Sequence, residues 1–276
     1  MLVRGGTKTP VNRTQVIVST PEAAAKRYSL LLTTDADDVA AAQTLRYRVF
    51  AGEFGARMDS PVPGRDVDPF DEFCDHLVVR EDATGEIVGT YRMLPPQRAR
   101  AAGGLYADGE FDLSRLDPLR GSMVETGRSC VHPDHRGGAV VGLVWAGLAR
   151  YMLLTGHRWL IGCASVPLGD GGLRAAGVWD RVRAKHLAPE DYRTVPHRVW
   201  DPATAPRHRT GTVPPLLRGY LRLGTWVCGL PAHDPDFDVA DFPVLLGMDH
   251  IDQRYLRFFL GEAAGSATSD ESGRVP

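Results

Sequence analysis

The sequence predicts an α/β protein in which a central mixed β-sheet is flanked by helices. Short runs of apolar and β-branched residues alternate along the chain with longer segments whose apolar residues recur at helical spacing. Residues 82–85 form a glycine-containing turn between two such runs, which predicts an antiparallel hairpin. The chain has 276 residues and is therefore long enough to bury a substantial core.

The first half of the chain begins with residues 1–26, which are polar, lack a pattern and are expected to be flexible. A β-rich run predicts a strand at 28–34. The acidic residues at 35–38 can cap a helix whose apolar positions recur at helical spacing as far as Phe50. A loop rich in Pro, Gly and Asp follows at 60–69, and the predicted hairpin strands lie at 76–80 and 86–94.

The second half opens with a strand predicted at 122–131. A glycine turn leads from it into a helix at 138–154, whose wide apolar stripe is typical of a core helix. Residues 262–276 are small and polar and are expected to form a disordered tail, so the predicted domain spans 27–261. The remaining predicted elements are strands at 159–165, 224–228 and 242–247 and helices at 173–184, 214–223 and 251–260.

The composition narrows the class of protein. Hydrophobic residues make up 43% and charged residues 24% of the chain, as in soluble globular enzymes. A formal net charge of -2 argues against a nucleic-acid partner, although arginines cluster at 92–136 and 174–198 and could dock an acidic partner. No apolar run approaches the roughly 18 residues needed to span a bilayer, and no signal core is present, so we expect a cytoplasmic protein.

Residues 125–138 are the most informative stretch. A strand followed by a glycine turn and a helix N-terminus directs backbone N–H groups and the positive end of the helix dipole at one spot. Such a spot suits a phosphate or a developing oxyanion. We therefore expect Arg136, Gly137 and Gly138 to bind the phosphate of an acyl donor, and an ordinary tight loop is the alternative.

Five segments, taken in order, resemble the ornithine-lipid-type N-acyltransferases, also called hemolysin-like proteins. The resemblance runs from about residue 28 to 260 and implies a GNAT-like acyl-CoA N-acyltransferase fold. It further implies transfer of a 3-hydroxy fatty acyl group from acyl carrier protein to the α-amino group of ornithine or a similar amino acid, giving a lyso-aminolipid. The five segments are 45–50, 70–77, 89–92, 125–136 and 162–165.

The same layout resembles the acyl-homoserine-lactone synthases, and this second resemblance implies the donor and the site residues. The implied donor is the phosphopantetheine thioester of acyl carrier protein, with acyl-CoA as the alternative and with no further cofactor. Residues 136–141 depart from the usual acetyl-CoA loop, because their glycines are misplaced. The residues that match the synthase motif are Arg46, Phe50, Asp71, Asp75, Arg92, Glu125 and Arg128.

Glu125 is the expected catalytic base. An amine must be uncharged to attack a thioester, yet a free α-amino group has a pKa of about 8 and is protonated much of the time near neutrality. A carboxylate beside the nucleophile can take that proton; the alternative is that Glu125 merely pairs with an arginine. Because Glu125 and Arg128 are three residues apart, a bulge near Gly127 is needed to point both to one face of the strand.

The other motif residues are expected to bind substrate. Arg46, Arg92 and Arg128 supply planar cations that suit the carboxylate of an amino acid, with Asp71 and Asp75 ordering them. A structural ion-pair network is the equally weighted alternative.

Three weaker signals remain. Cys130 could carry an acyl group but is more typical of a small core residue. The segments 132–135 and 233–238 lack metal-site spacing, so no metal is expected. Arg218 and Arg222 in the Leu-rich segment 216–226 permit contact with the inner face of the cell membrane, although a core helix is the simpler interpretation.

Two other functional classes stay open. One is a signal synthase that makes an acyl-homoserine lactone and would need an S-adenosylmethionine site. The other is a non-catalytic module that binds lipid or carrier protein.

Overall fold

The computed structural model describes residues 14–21, 24, 26–136, 138–206, 212–251, 254 and 257. In this part of the chain a nine-stranded mixed sheet is flanked by helices, which confirms the predicted fold class. The strands are β1 Thr14–Ser19, β2 Tyr28–Thr33, β3 Asp75–Glu81, β4 Ile87–Leu94, β5 Phe111–Asp112, β6 Met123–Val131, β7 Trp159–Pro167, β8 Val195–Pro196, β9 Trp226–Val227, β10 Ala232–Asp234 and β11 Val239–Gly247. The helices are α1 Ala36–Phe50, α2 Pro96–Ala101, α3 Ala139–Thr155, α4 Leu173–Lys185 and α5 Pro215–Leu223.

The main sheet has the order β1-β2-β3-β4-β6-β7-β11-β10, and β9 also pairs with β11. Its paired strands are antiparallel except for β6 and β7, which run parallel. The predicted hairpin is β3–β4. Local signals set the ends of several elements: Asp35 caps α1 by accepting the backbone N–H groups of Asp37 and Asp38, and Gly156 ends α3 with a left-handed conformation.

One part of the chain predicted to be flexible is ordered. Residues 14–19 lie within the predicted flexible segment 1–26, but they form β1 and pair antiparallel with β2. Their β-branched residues favour a strand, and Val16 is 55% exposed because β1 lies at the edge of the sheet. The prediction of a helix at 251–260 falls almost entirely outside the described residues, as do the predictions for 1–13 and 262–276.

Two helices cover opposite faces of the sheet. Leu30, Leu77 and Val79 point to the side covered by α3, whereas Leu31 and Val78 point to the side covered by α1. Adjacent residues of a strand point to opposite faces, so the uninterrupted apolar runs of β2 and β3 serve two cores. None of the described helices is both long enough and apolar enough to cross a membrane.

The central parallel pair of strands opens like a fork. Pairing between β6 and β7 runs from Met123 and Trp159 to Thr126 and Gly162 and then stops, although both strands continue. At the last pair the strands approach so closely that a Cβ on Gly162 would lie 2.7 Å from the carbonyl oxygen of Thr126. Beyond that pair the sheet has a gap, and backbone groups on the facing edges of β6 and β7 are left for other partners.

Candidate active site

A bulge in β6 lies where the two strands begin to separate. Thr90 pairs with Cys130 and Arg92 pairs with Gly127, so β6 carries one residue more than β4 over this interval. Arg128 has a positive φ of 54°, which is uncommon for a residue other than glycine. The predicted bulge near Gly127 is thereby confirmed, and both Glu125 and Arg128 face the same cavity.

The cavity occupies the gap between β6 and β7 and has a volume of about 790 Å³. Its wall includes both strands at the gap, the C-terminal end of α1, the N-terminal part of α5 and the β10–β11 turn. The wall combines apolar and charged side chains, as substrate sites do. The apolar ones include Phe50, Phe54, Tyr91, Leu94, Val213, Leu216, Phe237 and Val244, and the charged ones are Glu53, Arg92, Glu125, Arg128, Arg174, Arg218, Asp234, Asp238 and Asp241.

Glu125 is buried in the cavity wall and is held by backbone groups. Its Oε2 accepts the N–H of Tyr106 at 2.7 Å, and its Oε1 accepts the N–H of Ala107 at 2.8 Å. No arginine of the described chain forms an ion pair with it, so the expectation of simple arginine pairing does not hold. Burial raises the pKa of Glu125 to about 7, although the two backbone hydrogen bonds and the charge of Arg92 act in the opposite direction. A carboxylate with this pKa suits proton transfer near neutrality.

Three of the predicted arginines belong to one ion-pair network. Arg46 binds Asp71 through Nη2 at 2.7 Å, and its Nε lies 2.8 Å from Asp66. Two further aspartate contacts are made by Arg92, to Asp68 at 2.8 Å and to Asp71 at 3.1 Å. The network therefore joins α1 and β4 to the loop that precedes β3.

Arg128 joins the same network from the bulge. It contacts Asp66 at 3.1 Å and Asp68 at 2.7 Å, while its guanidinium lies between the rings of Tyr106 and Phe237 at 5.2 and 5.1 Å from their centroids. These contacts hold the side chain in the cavity wall despite the unfavourable φ. Asp66 and Asp68 were not singled out from the sequence, because the loop that contains them resembles an ordinary turn-rich segment.

The network has a buried side and a side that faces the cavity. Arg46 is fully buried and Asp71 is 7% exposed, and neither lines the cavity, whereas Arg92 and Arg128 do. Burial favours the neutral form of Asp71, but hydrogen bonds and charge from Arg46, together with the charge of Arg92, outweigh it and hold its pKa below the usual range. Arg46 and Asp71 therefore support the wall from behind, whereas Arg92 and Arg128 form part of its surface, and substrate binding by these residues stays a prediction.

The structure places Asp75 outside this group. Its carboxylate pairs with Arg98 and accepts the hydroxyl of Tyr151 at 2.8 Å. As the first residue of β3 it lies beyond the 3₁₀ turn Asp71–Phe73, so the two aspartates of the motif point to different partners. Phe50, in contrast, lies in the cavity wall beside the ring of Phe237, with 5.9 Å between the ring centroids.

Two of the three residues of the predicted phosphate site, Arg136 and Gly138, are described by the structure. Gly137 lies outside the described residues. Gly138 has a φ of 97° and precedes the first turn of α3, as the predicted glycine turn requires. The Nη2 of Arg136 pairs with Glu53 at 2.9 Å, and its Nε donates to the carbonyl oxygen of Val131, so this side chain is engaged within the protein. Glu53 itself lines the cavity.

A group of hydroxyls at the base of the fork was missed in the sequence. Tyr91 Oη lies 3.0 Å from the hydroxyl oxygen of Thr126 and hydrogen-bonds Tyr220, and Tyr220 Oη lies 3.3 Å from the same threonine oxygen. These side chains come from β4, β6 and α5. Only the fold brings them together.

The cysteine alternative receives no support from the structure. Cys130 packs in the core beneath α1, and burial raises the pKa of its thiol to about 12. Cys163 lines the cavity, but burial raises the pKa of that thiol well above its usual value. A neutral thiol is a poor nucleophile, and an acyl-cysteine step is not needed.

Comparison with known proteins places the chain in a family. The acetyltransferase (GNAT) domain model matches residues 45–146. The L-ornithine N(alpha)-acyltransferase of Brucella abortus (strain 2308) is 34% identical over 241 residues, covering 82% of this chain and 86% of that protein. The L-ornithine N(alpha)-acyltransferase of Rhizobium meliloti (strain 1021) is 36% identical over 260 residues, covering 87% of this chain and 86% of that protein.

Solved structures share the fold. A CoA-dependent acyl-homoserine lactone synthase superposes with a TM-score of 0.50 at 17% identity, covering 87% of this chain and 89% of that one. An N-acyl amino acid synthase from uncultured soil microbes superposes with a TM-score of 0.50 at 13% identity, covering 82% of this chain and 92% of that one. The fold follows from these structures, and the family follows from the relatives that are at least a third identical. The chain belongs to the L-ornithine N(alpha)-acyltransferase family and is an N-acyltransferase with a GNAT fold.

Proposed function

We propose that the protein transfers a 3-hydroxy fatty acyl group from acyl carrier protein to the α-amino group of ornithine or a closely similar amino acid. The product is a lyso-aminolipid. The observation that carries the proposal is Glu125, a buried carboxylate with a pKa of about 7 in the wall of a cavity that opens between two parallel strands. The names of the curated relatives supply the acceptor.

The gap between β6 and β7 suits the arm of the acyl donor. Phosphopantetheine carries amide groups, and the facing edges of the two strands offer backbone N–H and C=O groups beyond Thr126 and Gly162. A thioester inserted there lies beside Glu125, and the backbone of the bulge is available to stabilise the oxyanion. The exposed Arg174 and Arg218 on the cavity wall supply positive charge for an acidic carrier protein.

The reaction is direct attack of the amine on the thioester. The carboxylate of Glu125 removes one proton from the α-ammonium group, the freed amine forms a bond to the thioester carbon, the carbon–sulfur bond breaks, and the nitrogen loses its second proton to solvent. The proton passes from Glu125 to the departing thiolate, which leaves as a thiol. Arg128 is the candidate partner for the acceptor carboxylate, because its guanidinium is fixed in the wall next to the bulge.

The acyl chain requires an apolar path. Phe50, Phe54, Val213 and Leu216 lie on the cavity wall and offer such a surface. The product is amphipathic, so contact with the membrane surface is part of the proposal. Helix α5 buries Leu217, Tyr220 and Leu223 and leaves Arg218 and Arg222 exposed, and anionic lipid is the chemistry those arginines would meet.

Purified enzyme, ornithine and a set of acyl donors test the proposal. We expect Nα-acyl-ornithine by mass spectrometry, faster with 3-hydroxyacyl carrier protein than with the same acyl group on CoA. Glu125→Gln should lower kcat by about 10²–10⁴-fold. Glu190→Gln, at an exposed residue that does not line the cavity, is the matched control and should retain full activity.

Two results would overturn the assignment. One is an unchanged rate in Glu125→Gln, which would remove the catalytic base. The other is labelled lactone formed from S-adenosylmethionine in place of acyl-ornithine, which would favour the signal synthase. Absence of acyl transfer to any amino acid would favour a binding module.

A further inference from the structure

Three carboxylates meet beside the cavity and have no part in the mechanism described above. Glu110, Asp234 and Asp241 each place an oxygen within 4.8 Å of the oxygens of the other two. Glu110 follows the 3₁₀ turn Tyr106–Gly109, and the two aspartates lie diagonally on one face of the β10–β11 pair. Asp234 and Asp241 line the cavity directly.

Within the described part of the chain, no basic side chain pairs with these carboxylates. None of them forms an ion pair with any Lys, Arg or His of the described residues. Asp241 is 3% exposed, and its Oδ1 has no hydrogen-bond partner in the described chain; the same holds for Oε2 of Glu110. Buried carboxylate oxygens without partners are costly, so this arrangement indicates a positively charged ligand that enters from the cavity.

Burial and mutual repulsion raise the pKa of both Glu110 and Asp241. The hydrogen bonds of Tyr106 to Glu110 and of Ser165 to Asp241, together with the charge of Arg128, act in the opposite direction without reversing this. The ionised forms of Glu110 and Asp241 are therefore disfavoured in the empty cavity, and a cation between the two groups would stabilise those ionised forms.

One tyrosine links this cluster to Glu125. The backbone N–H of Tyr106 donates to Glu125, and its hydroxyl donates to Oε1 of Glu110 at 3.2 Å. One residue therefore contacts both carboxylate groups, through its backbone at one and its phenol oxygen at the other. A molecule with two amino groups at the ends of a short aliphatic chain can place one amine at Glu125 and the other at the cluster.

We propose that Glu110, Asp234 and Asp241 bind the side-chain ammonium of a dibasic amino acid and thereby select ornithine-like acceptors over neutral ones. This rests on the proposed function, since it names the substrate class of the same site. An ammonium group donates three hydrogen bonds, which matches three converging carboxylates. A free metal ion would satisfy the carboxylates equally but would not explain their position beside the base.

Binding measured without catalysis tests the proposal. Calorimetry compares L-ornithine with L-norvaline, which has the same carbon chain and lacks the side-chain amine. We expect the wild-type protein to bind ornithine about tenfold or more tightly than norvaline, and Asp241→Asn to lose that preference while norvaline binding stays within about twofold. Asp236→Asn, an exposed carboxylate in the adjacent turn, is the matched control and should keep the preference.

Three results would overturn the proposal. They are equal binding of ornithine and norvaline by the wild type, an undiminished preference in both Asp241→Asn and Glu110→Gln, and a preference that disappears with EDTA and returns with Mg²⁺ or Ca²⁺. Thermal unfolding of each variant shows whether it is folded. If the preference is present but no acyl group is transferred, the proposed function fails and the ammonium site stands.

Discussion

At the scale of single residues, the catalytic role proposed for Glu125 depends on how its carboxylate is held. Its carboxylate is buried, which favours the neutral acid, but two backbone N–H groups from the Tyr106–Gly109 turn support the anion. The balance leaves the pKa at about 7. The group is therefore half ionised at neutrality and can both accept the proton of the amine and return it to the thiolate.

The pH dependence follows from that pKa. The base must be ionised to work, and the ionised fraction grows as the pH rises through 7, so kcat at saturating donor and acceptor should rise about tenfold per pH unit below 7 and level off above it. Steady-state rates from pH 5.5 to 8.5 give the profile. In Glu125→Gln the inflection should vanish, and a profile unchanged by that substitution would assign the titration to another group.

Asp241 should be a source of instability in the empty protein. Burial and the charge of Glu110 raise the pKa of Asp241 above that of the unfolded chain. The free energy of unfolding therefore falls as the pH rises above the range where carboxyl groups ordinarily ionise. Asp241→Asn removes this cost and should stabilise the fold by about 1–2 kcal/mol at pH 8, with a smaller gain at pH 5. Thermal unfolding at the two pH values checks this, and equal or lower stability of the variant at pH 8 would contradict it.

At the scale of elements, the fork between β6 and β7 is shaped by close packing at its base. Gly162→Ala would place a Cβ 2.7 Å from the carbonyl oxygen of Thr126 and 3.1 Å from its hydroxyl oxygen. We expect a loss of about 1–3 kcal/mol of stability and lower activity, because the strands must move apart where the cavity begins.

Gly142→Ala is the control for that substitution. Its Cβ would meet nothing within 4 Å, and alanine is favoured within a helix, so the variant should be at least as stable as the wild type. Urea unfolding of both variants makes the comparison. A Gly162→Ala protein as stable as wild type would show that the two strands are not held in close contact.

Elements with strong local signals could be predicted from the sequence. Helix α1 begins where Asp35 caps it, and the hairpin β3–β4 and helix α3 occupy the predicted positions, because their caps, turns and apolar spacing act over a few residues. The strand β1 was assigned to a flexible segment, since its order depends on pairing with β2.

The site was predictable in part. The motif predicts Glu125, Arg92 and Arg128 as site residues, and the structure places all three in the cavity wall; the three-residue spacing predicts the bulge that β6 contains. Other parts of the site arise from contacts between segments distant in sequence, for which no local pattern exists. They are the arginine partners Asp66 and Asp68, the contact between the hydroxyls of Tyr91 and Tyr220, and the acidic cluster.

At the scale of the whole molecule, the arginine–aspartate network ties one helix, one loop and two strands together beneath the cavity. Arg46→Met leaves Asp71 buried with a missing partner and should cost roughly 3–5 kcal/mol of stability. Arg48→Met, on the same helix but exposed, loses a 3.7 Å pair with Glu86 and a 2.7 Å contact with the ring of His132, and should cost only about 1 kcal/mol. Chemical denaturation measures the loss of stability in each variant. Equal losses would mean that the buried network stabilises the fold no more than the exposed contacts of Arg48 do.

The family, the forked sheet and the buried carboxylate of Glu125 support the proposal that this enzyme acylates an amino acid from a thioester. The most direct test of that claim is lipid mass spectrometry of bacterial cells that overproduce the chain or its Glu125→Gln variant at equal protein levels. The wild-type chain should produce a mono-acylated lipid derived from ornithine, and the variant should not. A lipid profile unaltered by the wild-type chain, or the same new lipid from both chains, would contradict the account.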